Sequence, residues 1–155
     1  MIKAVFDFIV ALIKLLKKTQ PELIKPTSTE IISLGELHTL LRKKFPEQGE
    51  IYLSDHTYKL CNVKDIKRFL SQDDTNKMGY IAEERDCDDH AYRLLGQFSI
   101  PYWSDLAFGL VWTDLHSLNC FISEDKKFYF IEPQQDTIQE ELHKWQGTTI
   151  RFIVL

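Results

Sequence analysis

Apolar residues recur at helical spacing from the first turn of the chain: Ile2, Val5, Phe6, Ile9, Ile13 and Leu16, with Lys3, Asp7, Lys14 and Lys17 off that stripe. The run is too short and too charged to span a membrane. Asp7 interrupts it and no small-residue cleavage site follows, which argues against a signal peptide. Two readings stay open. The helix packs on the rest of the domain, or residues 2–18 meet a membrane surface or a partner protein through their cationic end. Two prolines with Thr and Ser mark 19–29 as a linker or ordered loop. The predicted organisation is therefore an N-terminal helix and linker over 1–29 and one domain over 30–155.

The next segments alternate helix and strand signals. Ser28 or Thr29 is a candidate cap and Gly35 a breaker, with a helical pattern over 36–45 ended by Pro46. Residues 51–53 and 57–60 read as short strands around a turn at Ser54 and Asp55. Asn62 is placed to cap a helix over 63–70, and 71–77 read as a loop. Acids in a first turn and a stripe of Ala91, Leu94 and Leu95 predict a helix over 86–95. Three apolar runs then follow at 108–112, 118–122 and 128–131, separated by turn signals, which predicts an antiparallel meander stopped by Pro133. A short helix near 138–142 and a strand over 148–155 close the chain. One helix followed by a meander predicts the α+β class.

With 155 residues, the chain has the size of a single domain. It is 44% hydrophobic and 27% charged, which excludes collagen-like and disordered classes. The net charge of −4 argues against a nucleic-acid binder working through a basic face. Three cysteines, Cys61, Cys87 and Cys120, cannot form a full disulfide framework, which suits a reducing, cytoplasmic setting.

Candidate chemistry gathers in the second half. Cys87 stands at a predicted helix start, where backbone N–H groups favour a thiolate and can face a developing oxyanion. Asp86, Asp88 and Asp89 oppose that effect, because nearby carboxylates raise a thiol's pKa. With 123–127 as a five-residue loop, Ile122 faces Phe128, and His116 and Glu132 fall on one face, a diagonal step apart. Glu132 is then placed to orient His116, and a nucleophile, base and orienter make up the generalised triad.

The stretches 80–91, 109–119 and 129–134 together resemble the papain-like cysteine protease domain at the C-terminus of fungal chimeric lectins such as the fairy-ring mushroom agglutinin, with related stand-alone domains in bacteria and phages. Asp86-Cys87-Asp88-Asp89 and Glu132-Pro133-Gln134 are the most specific blocks. The resemblance implies a papain-like fold, a helix bearing the nucleophile on an antiparallel meander. It implies catalytic Cys87, His116 and Glu132, a peptide or protein substrate, and calcium-dependent proteolysis with Asp88 and Asp89 near the metal. Gln134 shares the Glu132 parity and is a candidate for substrate or oxyanion support. No lectin domain precedes the motifs, and Ile81 occupies the position where papain-type enzymes place an oxyanion glutamine.

Three alternatives use the same residues: a binding module that keeps the fold without catalysis, a cell-wall hydrolase with the same triad, and a zinc site built from Cys87, His90, His116 and Cys120.

Overall fold

The computed structural model describes residues 25–155 together with Lys3 and Phe6. The helix expected over residues 2–18 and most of the 1–29 segment lie outside the described residues.

In chain order the elements are β1 (Ile31–Ser33), α1 (Leu34–Lys44), β2 (Glu50–Tyr52), β3 (Thr57–Lys59), α2 (Val63–Leu70), α3 (Cys87–Phe98), β4 (Phe108–Thr113), β5 (Ser117–Ile122), β6 (Phe128–Glu132), β7 (Thr137–Gln139) and β8 (Ile150–Val154). Short 3-10 turns lie at Thr75–Lys77 and Lys144–Gln146.

Local chemistry sets the helix starts. The Ser33 hydroxyl accepts the Glu36 N–H at 3.3 Å, and the Glu36 carboxylate accepts the Ser33 N–H at 3.1 Å. This reciprocal box starts α1 at Leu34, ahead of the helical pattern expected from Glu36, and takes Gly35 into the first turn where a break was expected. Asn62 caps α2, its side-chain oxygen accepting the Lys64 N–H at 2.9 Å. At α3 a second box forms: the Asp86 carboxylate accepts the Asp88 N–H at 3.4 Å, and the Asp89 carboxylate accepts the Asp86 N–H at 3.1 Å.

The expected papain-like α+β fold, one helix on a purely antiparallel meander, is corrected. Among the described residues eight strands accompany three short α-helices. Six strands form one mixed sheet in the order β2-β8-β4-β5-β6-β7, and β1 pairs with β3 in a separate two-stranded sheet. Two expectations fail for one reason, long-range pairing, and a third fails through a local hairpin. The strands at 50–52 and 57–59 do not make a hairpin: β2 runs parallel to β8, and β3 runs antiparallel to β1. The C-terminal strand inserts between β2 and β4. The segment near 138–142 begins as β7 against β6, after a turn in which Asp136 takes φ 53°.

The β5–β6 register pairs Ile122 with Phe128 and Asn119 with Ile131. Both faces of these strands are covered. Leu118, Cys120, Ile122, Phe128 and Phe130 join Leu37 and Leu41 of α1 in one core, while Phe121 and Ile131 join Ile66, Leu94, Phe98 and Trp103 in a second. Period-2 alternation therefore divides the strands between two apolar environments, which is why their sequences read as unbroken apolar runs. Asn119, fully buried on the α3 side, ties helix to sheet by donating to the carbonyls of Ala91 (3.0 Å) and Gly109 (3.2 Å).

Candidate functional site

The start of α3 meets the end of the large sheet at the turn between β4 and β5. There the Cys87 thiol, the first residue of α3 and half-buried, hydrogen-bonds with the His116 ring and receives the backbone N–H of Ser117. His116 Nε2 lies 2.8 Å from Glu132 Oε2, which leaves Nδ1 for the sulfur. Glu132 ends β6 and is 2% exposed. Cys87, His116 and Glu132 are thus brought together in one chain of contacts.

The electrostatics follow from these contacts. The bond to His116 is the largest influence on the Cys87 thiol and lowers its pKa, against partial burial and the Asp86 charge. Burial works against a charged imidazole at His116, yet its bonds to Cys87 and Glu132 prevail and raise its pKa to about 9. Burial likewise opposes ionisation of Glu132, but hydrogen bonds from His116 and Gln146 hold its carboxyl below the usual range. The contacts shift the balance toward a thiolate beside an imidazolium.

A second side-chain donor to Glu132 comes from a residue that sequence reasoning missed. Gln146 is fully buried, and its Nε2 donates to Glu132 Oε2 at 3.0 Å. Gln134 contributes only its backbone N–H, 3.4 Å from Glu132 Oε1. The ring of Trp145, half-exposed, stands 5.0 Å from the His116 ring in an edge-on arrangement. Neither Gln146 nor Trp145 carries a local signal, since their 3-10 turn comes to the site only when β8 folds back onto β4.

The acids at the start of α3 divide their tasks. Asp89 is occupied in the capping box. Asp86 and Asp88 hydrogen-bond through their carboxyl groups, which raises the Asp88 pKa. Ligand atoms of Asp86, Cys87 and Asp88 all lie within 4.8 Å of one another, the one such metal-capable group among the described residues. The alternative zinc tetrad is corrected. The ring nitrogens of His90 face the carbonyls of Asp86 (2.7 Å) and Met78 (3.1 Å), and Cys120 is buried in the core. Cys61 is buried too, and burial pushes both its thiol and that of Cys120 well up.

No protein-family model and no curated protein matches the chain. Solved structures do resemble it. One is the PSL1a-E64 complex, at a TM-score of 0.69 and 20% identity, covering 81% of this chain and 50% of that one. Another is Polyporus squamosus lectin bound to the human-type influenza-binding epitope Neu5Aca2-6Galb1-4GlcNAc, at a TM-score of 0.67 and 19% identity, covering 81% of this chain and 49% of that one. The chain spans about half the length of these neighbours. At this identity the likeness is one of fold.

These findings overturn the protease assignment. A lectin stands where a papain-like protease was expected, and no family or sequence match supports that domain. The cysteine peptidase function, its inactive and cell-wall-hydrolase alternatives, and the peptide or protein substrate are corrected with it. The physical reason is that a few residues at matching spacing can carry reactivity without fixing what a protein binds. No helix of the described residues is long and apolar enough to cross a membrane.

Proposed function

We propose that Cys87, His116 and Glu132 act as a nucleophilic thiol centre that accepts an acyl group as a thioester and passes it to a second acceptor. The observation that supports this reading is the unbroken line of contacts from the Cys87 sulfur through His116 to Glu132. In the proposed sequence the thiolate adds to the acyl carbonyl while backbone N–H groups at the start of α3 face the developing oxyanion. The carbonyl re-forms as the leaving group departs with a proton from the imidazolium. His116, now neutral, takes a proton from the acceptor as the acceptor displaces the sulfur. Glu132 holds the ring and balances its charge throughout. The reading concerns the reaction centre and carries no peptide substrate with it.

Small activated thioesters and phenyl esters test it. The wild-type chain is expected to gain the acyl mass on Cys87 and to turn the probes over. Cys87→Ala should lose at least about a thousandfold of that rate while staying folded. Equal turnover in the variant would remove the reading.

Asp86 and Asp88 offer hard oxygen donors, a set that suits a divalent ion such as calcium. An ion there would offset the carboxylate charge that now opposes the thiolate. Millimolar calcium in the same assay is expected to raise both the acylation rate and the melting temperature. An unchanged rate and midpoint would leave these acids as helix-start residues alone.

The fold likeness to the lectin complex favours a second reading, glycan binding. Titration with that same trisaccharide, followed by NMR shifts of the chain, decides it; no shifts at millimolar ligand would set it aside.

A further inference from the structure

Gln146 has no freedom to choose which end of its amide faces Glu132. Its Oε1 accepts two N–H groups, the Gln139 side-chain amide at 2.5 Å and the His143 backbone at 2.9 Å. Its backbone carbonyl accepts the Thr113 hydroxyl at 2.5 Å, and that hydroxyl also accepts the His116 N–H at 2.9 Å. Turning the amide over would set an NH2 against the fixed His143 backbone N–H and an oxygen against a carboxylate, leaving groups unpaired on both sides. The NH2 is therefore committed to Glu132, where it meets the same oxygen that binds His116. Gly147, next along at φ 100°, lets the segment approach this closely: a Cβ there would stand 2.5 Å from Asp114 Oδ1 and 2.6 Å from Thr113 Oγ1.

We infer that Gln146 is a positioning residue of the thiol centre, locking the Glu132 carboxylate and thereby the His116 tautomer that presents Nδ1 to Cys87. The inference rests on the acyl-transfer reading of the site. Gln146 touches no reacting atom; it acts through Glu132. A carboxylate with a fixed donor stays charged and keeps its orientation, so Nε2 of His116 stays protonated and Nδ1 is left for the sulfur. Without that donor, Glu132 is a buried carboxylate held by His116 and the weaker Gln134 contact alone, and it shifts toward the neutral acid.

The readout is the pH profile of Cys87 alkylation by iodoacetamide. The charged groups facing the sulfur and its partners are Asp86 and Asp88 from α3, His116 from the β4–β5 turn and Glu132 from β6. Gln146→Met keeps the volume and removes the donor. It is expected to move the acid limb of the profile up by about one pH unit, cutting the rate at pH 6 about tenfold. At pH 9.5, where the thiolate forms unaided, the rate should stay within about threefold of wild type. Gln146→Glu, which restores an oxygen but adds a like charge beside Glu132, should not rescue the acid limb. A Gln146→Met profile that overlays the wild type would overturn the inference and leave the thiol centre standing. A wild-type profile with an ordinary thiol midpoint would instead remove the thiol centre itself. NMR of the wild-type chain covers the case in which Gln146→Met does not fold. The Gln146 side-chain amide protons are expected to exchange slowly with solvent, and exchange as fast as that of an exposed glutamine amide would overturn the lock.

Discussion

Iodoacetamide at pH 7 is expected to alkylate Cys87 at least about a hundredfold faster than Cys61 or Cys120 in the folded chain. The gap has two sources. Cys61 and Cys120 have no exposed surface, and burial raises both thiols. Cys87 is half-exposed, and the His116 bond lowers its thiol. Peptide mapping after partial labelling reads the ratio directly, and preferential labelling of either buried cysteine would count against the thiolate. The same contacts fix how stability depends on pH. His116 has a raised pKa, so its contribution is complete below the ordinary imidazole value near 6.5 and fades as pH climbs toward about 9. Cys87 is depressed, so its contribution grows over the alkaline range in which that of His116 fades. Glu132, also depressed, contributes above the ordinary carboxylate range and is lost on acidification. The trio is therefore expected to leave the melting temperature nearly level through neutral and mildly alkaline pH and to lower it in acid.

Gly109→Ala is expected to destabilise the fold by about 3 kcal/mol or more, lowering the melting temperature by roughly 10 °C. A Cβ at this position in β4 would stand 1.9 Å from the Val154 carbonyl oxygen and 2.9 Å from its carbon. Those are backbone atoms of β8, so relief requires β8 to part from β4 along the pairs Leu110–Val154 and Val111–Ile153. Flexible side chains cannot absorb the overlap. Urea unfolding followed by tryptophan fluorescence measures the cost. A loss under about 1 kcal/mol would show that the two strands can separate without disturbing the core. The prediction bears on the candidate site as well. The segment that carries Trp145 and Gln146 is held to the sheet by β8, so a milder substitution that loosens β8 should slow Cys87 alkylation at pH 6 more than at pH 9.5.

The thiol centre and the lectin likeness answer different questions about this chain. The solved neighbours cover its fold at about 20% identity and half their own length, which ties this backbone to an architecture found in a sugar-binding protein. The chemistry proposed here comes from side chains and their contacts alone. The spacing of Cys87, His116 and Glu132 speaks of reactivity, and the substrate lies with surfaces those three residues do not form.

Much of this protein was decided locally and could be read in its sequence. Asn62 caps α2 because its short side chain reaches the N–H two residues on. Asp86 starts α3 by the same means and sets Cys87 as its first residue. The five-residue loop after Ile122 fixes the β5–β6 register, and an odd loop length alone puts His116 and Glu132 on one face. These features depend on neighbours a few residues apart, where hydrogen bonding and strand parity act without the rest of the fold. The remainder was decided only in three dimensions. β8 enters the sheet between β2 and β4, and β2 and β3 part to pair elsewhere. Gln146 reaches Glu132 for the same reason. No rule of local spacing connects them, and their bond exists because burial of the β8 apolar residues Ile150 and Ile153 in the core carries the preceding turn to the end of the sheet.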